Sequence, residues 1–188
     1  RDYKVTGVQT CALPICSTLL PAGFGGYLGR ALRTGDTLAC ATPTGEMHLL
    51  RAHPPVLPLD APLRVVAGPQ AGRFDDAGLT AFFCGSYRVG AASDRRGLRL
   101  IGPAVTHARA ELPSQGVLPG TVQVPPDGQP IILGWDGPVT GGYPAIAAVI
   151  AADWPQLAQL RPGDAVRFAT VEAATAQAPA PWAIEALA

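Results

Sequence analysis

Glycine and proline interrupt this sequence so often that no long regular element fits between them. The chain has 22 Gly and 20 Pro among 188 residues, yet 48% of its residues are apolar. Its apolar residues therefore occur in short runs bounded by turn residues, a pattern typical of short strands rather than long helices. The apolar content is sufficient for a packed core. The sequence predicts a mainly β protein with one or two short helices.

Charge balance argues against several functions. The chain has 14 Lys and Arg and 14 Asp and Glu, so its net charge is zero, and only 15% of its residues are charged. Nucleic acids and anionic membranes select for an excess of Lys and Arg, so we expect neither as a partner. The longest apolar stretch, residues 145–152, is too short to span a bilayer. Residues 1–15 lack the apolar core of a secretory signal, which predicts a cytoplasmic protein.

The cysteines and histidines form no metal motif in the sequence. No Cys-x-x-Cys or His-x-x-x-His run occurs in the sequence. We therefore expect free thiols in a reducing compartment and no metal site.

Local signals predict the elements of the second half of the chain. Asp75 or Asp76 is a predicted N-cap for a helix over residues 77–83. Asp153, which precedes Trp154 and Pro155, is a predicted cap for one further helical turn. Short apolar or alternating runs predict strands at residues 87–89, 98–101, 121–124, 131–133, 146–151 and 165–170.

The first residues require separate treatment. Residues 5–15 read VTGVQTCALPI, which resembles the in-frame translation of a widely used sequencing adapter. We therefore expect residues 1–15 to be an artefact rather than natural sequence, and we assign them no function.

Three groups of motifs carry a family resemblance. The first is STLLPAGFGGYLGRAL at residues 17–32. The second combines GPQ at residues 68–70, YRV at 87–89 and SDR at 93–95. The third and most specific combines GVLPGTVQVPPDGQPI at residues 116–131, TGGYP at 140–144 and LRPGDAVRF at 160–168. Together they resemble the biotin-dependent carboxyltransferase family, which includes the C subunit of 5-oxoprolinase, the Kip antagonist proteins, allophanate hydrolase subunit 2 and the carboxyltransferase region of urea carboxylase.

The resemblance implies two related β-barrel subdomains of cyclophilin-like architecture, with this chain as a C-terminal fragment. Residues 16–60 would be the remnant of the first subdomain and a linker. Residues 61–170 would be the second barrel, and residues 171–188 an Ala- and Pro-rich tail. The sequence departs from some members at residues 136–142, where DGPVTGG stands in place of DRQTTGG. That difference removes one cation near the loop.

Three residues are candidates for catalysis: Gln123, Asp136 and Tyr143. An amide substrate needs a donor for its carbonyl oxygen and an acceptor for its N–H, and a Gln side chain can supply both. Asp136 or Tyr143 can move a proton. A structural role is the alternative for each: Gln123 can satisfy a backbone group, Asp136 can belong to a turn, and Tyr143 can pack in a core.

Five residues are candidates for substrate binding: Arg30, Arg95, Thr140, Gly141 and Gly142. An Arg side chain can hold a carboxylate or phosphate, and the backbone N–H groups of a glycine loop can bind a developing oxyanion. Alternatively, Arg30 caps a carbonyl, Arg95 forms a surface pair with Asp94, and the glycines serve tight turns. Trp135 and Trp154 are expected to be core or rim residues.

The resemblance leaves three functions open. The first is the C subunit of an ATP-dependent 5-oxoprolinase, which would open a cyclic amide together with a partner subunit of the Kip-inhibitor (allophanate hydrolase subunit 1) type. ATP would belong to the assembled complex, and the fragment alone would be inactive. The second is transfer of a carboxyl group from biotin, carried by another chain, to urea or a similar amide. The third is a non-catalytic antagonist that binds a Kip-inhibitor-like protein.

Overall fold

The computed structural model describes residue 18 and residues 22–38, 57–108 and 112–176. Contacts divide the chain into two units, Arg1–Ala52 and His53–Ala188. The described part of the first unit is a run of turns in which Gly23, Gly25 and Gly29 have positive φ angles. The predicted artefact at residues 1–15 and most of the predicted tail lie outside the described residues.

The second unit is built mainly from short strands. Its strands are β1 (Leu63–Ala67), β2 (Tyr87–Val89), β3 (Gly97–Ile101), β4 (Gln115–Gly116), β5 (Thr121–Gln123), β6 (Ile131–Leu133), β7 (Thr140–Gly141), β8 (Ala145–Val149), β9 (Ala165–Val166) and β10 (Phe168–Thr170). Its helices are α1 (Asp76–Cys84), α2 (Trp154–Leu157) and α3 (Ala173–Ala176), and 3-10 turns occur at Ala71–Arg73 and Ala151–Asp153.

Eight of these strands form one sheet that closes on itself. The strand order is β10-β1-β8-β5-β6-β3-β2-β9, and β4 pairs with β7 in a separate ribbon. The two outer strands, β9 and β10, are separated in the chain by Arg167 alone. β9 pairs with β2, while β10 pairs with β1 in the one parallel arrangement of the described strand pairs. The single strand predicted over residues 165–170 is therefore two strands that join opposite ends of the sheet.

The interior of this barrel is filled by one hydrophobic core. Most of its buried residues come from the strands and from α1, among them Leu63, Val65, Phe82, Tyr87, Val89, Leu100, Val122, Ile132, Ala147, Val149, Val166 and Phe168, and Phe74, Val105 and Val124 add to it from loops. Phe82 of α1 stacks on Phe168 of β10 with ring centroids 4.3 Å apart. The helix thus packs against the strand that closes the sheet. The predicted mainly β, barrel-type fold is confirmed.

The first predicted helix is confirmed and the second has a different anchor. Asp75 caps α1 by accepting a hydrogen bond from the Gly78 N–H at 2.6 Å. Asp153 precedes α2 as predicted, but its side chain makes no cap hydrogen bond. Its carboxylate instead accepts from the backbone N–H of Arg64 at 2.7 Å and from the Arg64 guanidinium Nη2 at 2.5 Å. This contact ties α2 to β1.

Other strand predictions are confirmed with small shifts. The strand predicted over residues 121–124 ends at Gln123, and the one predicted over 146–151 is Ala145–Val149. No helix in the described ranges is long and apolar enough to cross a membrane.

Tyr87 should make the free energy of unfolding fall at alkaline pH. Its hydroxyl donates to the Ala81 carbonyl at 2.8 Å, and burial raises its pKa to about 12, against roughly 10 in an unfolded chain. Because the folded-state pKa is the higher one, this stabilisation is fully present below roughly pH 10 and is lost as the pH rises through the folded value. Y87F should lower the free energy of unfolding at neutral pH by about 1 kcal/mol.

Denaturant unfolding of Y87F and wild-type protein, followed across alkaline pH, measures this effect. The difference between the two proteins should shrink as pH rises, and a constant difference would contradict the assignment.

The Arg64–Asp153 pair should matter far more than an exposed pair of the same type. Asp153 is 6% exposed and bonds both the backbone and the guanidinium of Arg64. D153A should therefore cost about 2 kcal/mol of unfolding free energy. The control is D94A, which breaks the exposed Arg96–Asp94 pair and should cost less than about 1 kcal/mol. Equal midpoints in denaturant for the two variants would show that Asp153 does not anchor α2.

Candidate functional site

A cleft of about 490 Å³ lies beside β3 and β6, next to α2. Leu98, Ile132, Leu157 and Leu160 give it apolar walls. Polar groups reach it from the turn before β3 and from the segment after β6. A mostly apolar cavity of this size with a few polar groups at one side is the usual form of a small-molecule site.

Two predicted site residues meet at this cleft. Arg95 lies in the turn between β2 and β3, and Asp136 follows β6. Antiparallel pairing of β3 with β6 places these two segments side by side. The Arg95 Nε lies 3.1 Å from Oδ2 of Asp136, and the Asp136 N–H donates to the Arg95 carbonyl at 3.3 Å. The cleft therefore presents a guanidinium and a carboxylate held against each other.

A second charged pair balances the same rim. Asp94 accepts from the backbone N–H of Arg96 at 2.9 Å and from its Nε at 3.0 Å. Burial opposes ionisation of Asp94, but these bonds outweigh it and hold the pKa of its carboxyl below the usual value. Asp94 is thus ionised at neutral pH. Asp94, Arg95 and Asp136 line the cleft, and Arg96 pairs with Asp94 just outside that lining. The two ion pairs that form this rim together carry no net charge.

Two tryptophans form the aromatic side of the cleft. Trp154 is fixed in place by a hydrogen bond from its Nε1 to the Val149 carbonyl at 3.3 Å. Trp135 meets it edge to face, with centroids 4.6 Å apart and planes at 85°. Trp135 is 64% exposed, although it lines the cleft. Of the two expected positions, core or rim, Trp135 takes the rim.

Gln123 lies at the far end of β5 from the cleft. Gly120, just before β5, lines the cleft, whereas Gln123 ends the strand, about 10 Å away by strand geometry. Gln123 is 4% exposed, and its Nε2 donates to the Tyr143 carbonyl at 3.2 Å. A Cβ on Gly141 would lie 2.7 Å from that same Nε2. Gln123 therefore lies directly beneath the glycine loop, and a side chain at position 141 would force the Gln123 amide to move.

Further side-chain amides hold the same loop. Gln70 donates from Nε2 to Oε1 of Gln115 at 3.1 Å, and its own Oε1 accepts from the Ala145 N–H at 3.0 Å. Gln115 pairs with Gly141 across the β4–β7 ribbon. Sequence reasoning assigned no role to Gln70 or Gln115, although the GPQ motif that contains Gln70 carried part of the family resemblance.

The predicted site residues therefore fall into separate groups. Arg95 and Asp136 line the cleft. Gln123 lies against the loop that holds Thr140, Gly141, Gly142 and Tyr143. Arg30 belongs to the first unit, where its guanidinium binds the carboxylate of Asp36 through two bonds of 2.7 and 2.8 Å. Within the described ranges, no group of three or more His, Cys, Asp or Glu residues can hold a metal ion.

Gln123 should control the order of the glycine loop. Q123L removes the donor to the buried side of the loop and should lower the free energy of unfolding by about 1–3 kcal/mol. The matched control is Q156L, since Gln156 is 5% exposed and likewise donates to a backbone carbonyl, that of Ala61 at 2.7 Å. Both variants should lose stability.

Only Q123L should speed amide hydrogen exchange at residues 140–143. Equal exchange at the loop in Q123L and Q156L would contradict a specific role of Gln123.

Comparison with known proteins identifies the fold's relatives. A family model described as carboxyltransferase domain, subdomain A and B, matches residues 12–170. The C subunit of 5-oxoprolinase from Escherichia coli (strain K12) is 39% identical over 154 residues, which are 81% of this chain and 49% of that protein. The corresponding 5-oxoprolinase protein of Haemophilus influenzae is 38% identical over 163 residues, 85% of this chain and 52% of that protein. The chain thus spans about half the length of these curated relatives.

A solved structure gives the same picture. The structure of Kluyveromyces lactis urea carboxylase is similar with a TM-score of 0.66 at 29% identity, over 85% of this chain and 16% of that one. Because the family model covers most of the chain, this protein belongs to the carboxyltransferase family, within the two-subdomain type to which the motifs pointed.

Proposed function

We propose that the chain belongs to the C subunit of a 5-oxoprolinase-type complex, which opens a five-membered cyclic amide to an amino acid with a partner subunit. One observation carries the proposal: identity is 38–39% to two bacterial 5-oxoprolinase proteins of this type, against 29% to the urea carboxylase structure. The partner is expected to be a Kip-inhibitor or allophanate hydrolase subunit 1 type of protein. Activity belongs to the whole complex, of which this chain is one part.

The proposed reaction gives Arg95 and Asp136, the ion pair in the cleft, one role each. Opening of the ring breaks the amide C–N bond; water supplies the oxygen that turns the carbonyl carbon into a carboxylate, and the nitrogen leaves as an amine. Asp136 is positioned to accept a proton from water, and Arg95 is positioned to hold a carbonyl or carboxylate oxygen. Residues 140–143 follow Asp136 in the chain but do not line the cleft, so their N–H groups are not given a contact with the substrate in this proposal. Gln123 and Tyr143 lie with that loop rather than in the cleft, so their catalytic roles stay predictions and are not part of the step at Asp136 and Arg95.

The charges at this cleft favour an ATP site on the partner subunit rather than in the cleft. A triphosphate needs several uncompensated cations or a glycine cradle at a helix N-terminus. Arg95 and Arg96 at the rim are each matched by a carboxylate, Asp136 and Asp94. We therefore assign the ATP contacts to the partner subunit.

Carboxyl transfer from biotin is the second candidate. The similarity to urea carboxylase and the size of the cleft, about 490 Å³, favour it. The uncharged bicyclic head of biotin fits apolar walls, with Asp136 as acceptor for its ring N–H and Arg95 as donor to its carbonyl. Carboxybiotin, if bound there, would supply the carboxyl group; the amide nitrogen of the acceptor would lose a proton as it takes that group, and biotin would be released.

The deciding measurement is ATP-dependent release of glutamate from 5-oxoproline by the complete protein mixed with its partner subunit. The wild-type complex should release glutamate, and D136N should lower kcat by about 100-fold or more. The control is D127N, since Asp127 bonds only the Gln129 N–H of an exposed turn in the described contacts; kcat should stay within about twofold.

Other outcomes have defined meanings. Tight partner binding without glutamate release would reject the hydrolase and favour the antagonist. Biotin-dependent carboxylation of urea instead would favour the second candidate.

A further inference from the structure

Trp135 combines high exposure with a fixed backbone. The Gly134 N–H donates to the Arg96 carbonyl at 2.9 Å, the Asp136 N–H donates to the Arg95 carbonyl, and the Gly137 N–H donates to the Gly134 carbonyl at 3.1 Å. A Cβ on Gly134 would collide with the Arg95 carbonyl. The turn that carries Trp135 is therefore locked to the β2–β3 turn, so its 64% exposure is a property of the folded turn.

Trp154 holds the other end of the aromatic pair. Its hydrogen bond to Val149 fixes its ring, and a Cβ on Gly120 would lie 3.0 Å from its Nε1. The Trp135 ring packs edge to face against this fixed ring. An indole held in this way offers its large surface to a flat group at low entropic cost, which is how tryptophan serves as an anchor in binding sites.

The charged groups at the cleft limit the classes of ligand that can bind there. Asp136 follows Trp135 directly in the chain, and its partner Arg95 lies across the rim. A guanidinium beside a carboxylate matches a ligand edge that carries one acceptor and one donor, such as an amide C=O and N–H. Because the two ion pairs cancel, the rim favours a neutral or singly charged ligand over a polyanion.

From these observations we infer that Trp135 is the specificity-determining residue of the cleft, which takes flat cyclic amides in preference to acyclic amides such as urea. The ring of the ligand lies against Trp135 and the apolar walls, while its amide edge faces Arg95 and Asp136. A cyclic amide has methylene groups to bury there, and urea has none. This inference rests on the proposed function for its choice of substrate, and it adds the residue that selects the ring.

The experiment uses the complete protein with its partner subunit. Binding of 2-pyrrolidinone and of urea is measured by titration calorimetry, and KM and kcat are measured for 5-oxoproline. The variants are W135A, W135F and, as control, L118A, which removes an apolar side chain that is 75% exposed and lies outside the cleft lining.

W135A should weaken 2-pyrrolidinone binding and raise KM by about tenfold, with kcat changed by less than about twofold. W135F should restore most of the affinity, and L118A should match wild type. The inference is overturned if W135A binds the lactam as wild type does, or if urea binds wild-type protein as tightly as the lactam.

The two proposals fail separately. Glutamate release by a W135A complex with an unchanged KM would reject the role of Trp135 and leave the 5-oxoprolinase function standing. Trp135-dependent lactam binding without any glutamate release would support the ring-selective cleft and reject the hydrolase.

Discussion

Closure of the sheet at Arg167 is the constraint on which the rest of the second unit depends. A single residue separates β9 from β10, so one short stretch of chain pairs with β2 on one side and with β1 on the other. The Leu63 N–H donates to the Arg167 carbonyl at 2.8 Å at that junction. Phe168 turns inward immediately afterwards and stacks on Phe82, so closure and filling of the core occur at the same point.

The cleft is a consequence of that closure. The chain must travel from the end of β8 to the start of β9, and the crossing segment, residues 150–164, lines the cleft opposite Leu98 of β3 and Ile132 of β6. α2 and Leu160 on this segment supply one wall of the cleft. Asp153 fixes the start of the crossing to Arg64 on β1, so the wall is held by the same strand that accepts β10. One wall of the binding cleft thus comes from the segment that leads from β8 to the closing strands.

Contacts between residues that are close in the sequence could be predicted from it, whereas contacts between residues far apart in the sequence could not. Asp75 was a readable helix cap because its partner, Gly78, is three residues away. Asp153 looked like the same kind of cap, but its partner Arg64 is 89 residues away and no local pattern marks it. The split at Arg167 was hidden for the same reason, since residues 165–170 have the apolar pattern of one strand. Arg95 and Asp136 were found as candidates by their motifs, whereas their contact depends on the β3–β6 register, which a sequence pattern does not give. The barrel itself came from the family resemblance rather than from periodicity.

The positive charge at this cleft comes from the β2–β3 turn and not from the loop after β6. Residues 137–139 read Gly-Pro-Val, so this part of the loop contributes no cation. Val139 is 68% exposed, and its carbonyl accepts from the Val117 N–H at 3.0 Å, which makes the loop a structural extension of the ribbon. Positive charge at the rim is therefore supplied by Arg95 and Arg96, and both face carboxylates. A rim of that kind can orient one amide or one carboxylate but gives a polyanion no net attraction. Under the proposed function, the cleft in this chain recognises the uncharged ring of the substrate. The nucleotide that supplies energy binds to another surface of the complex.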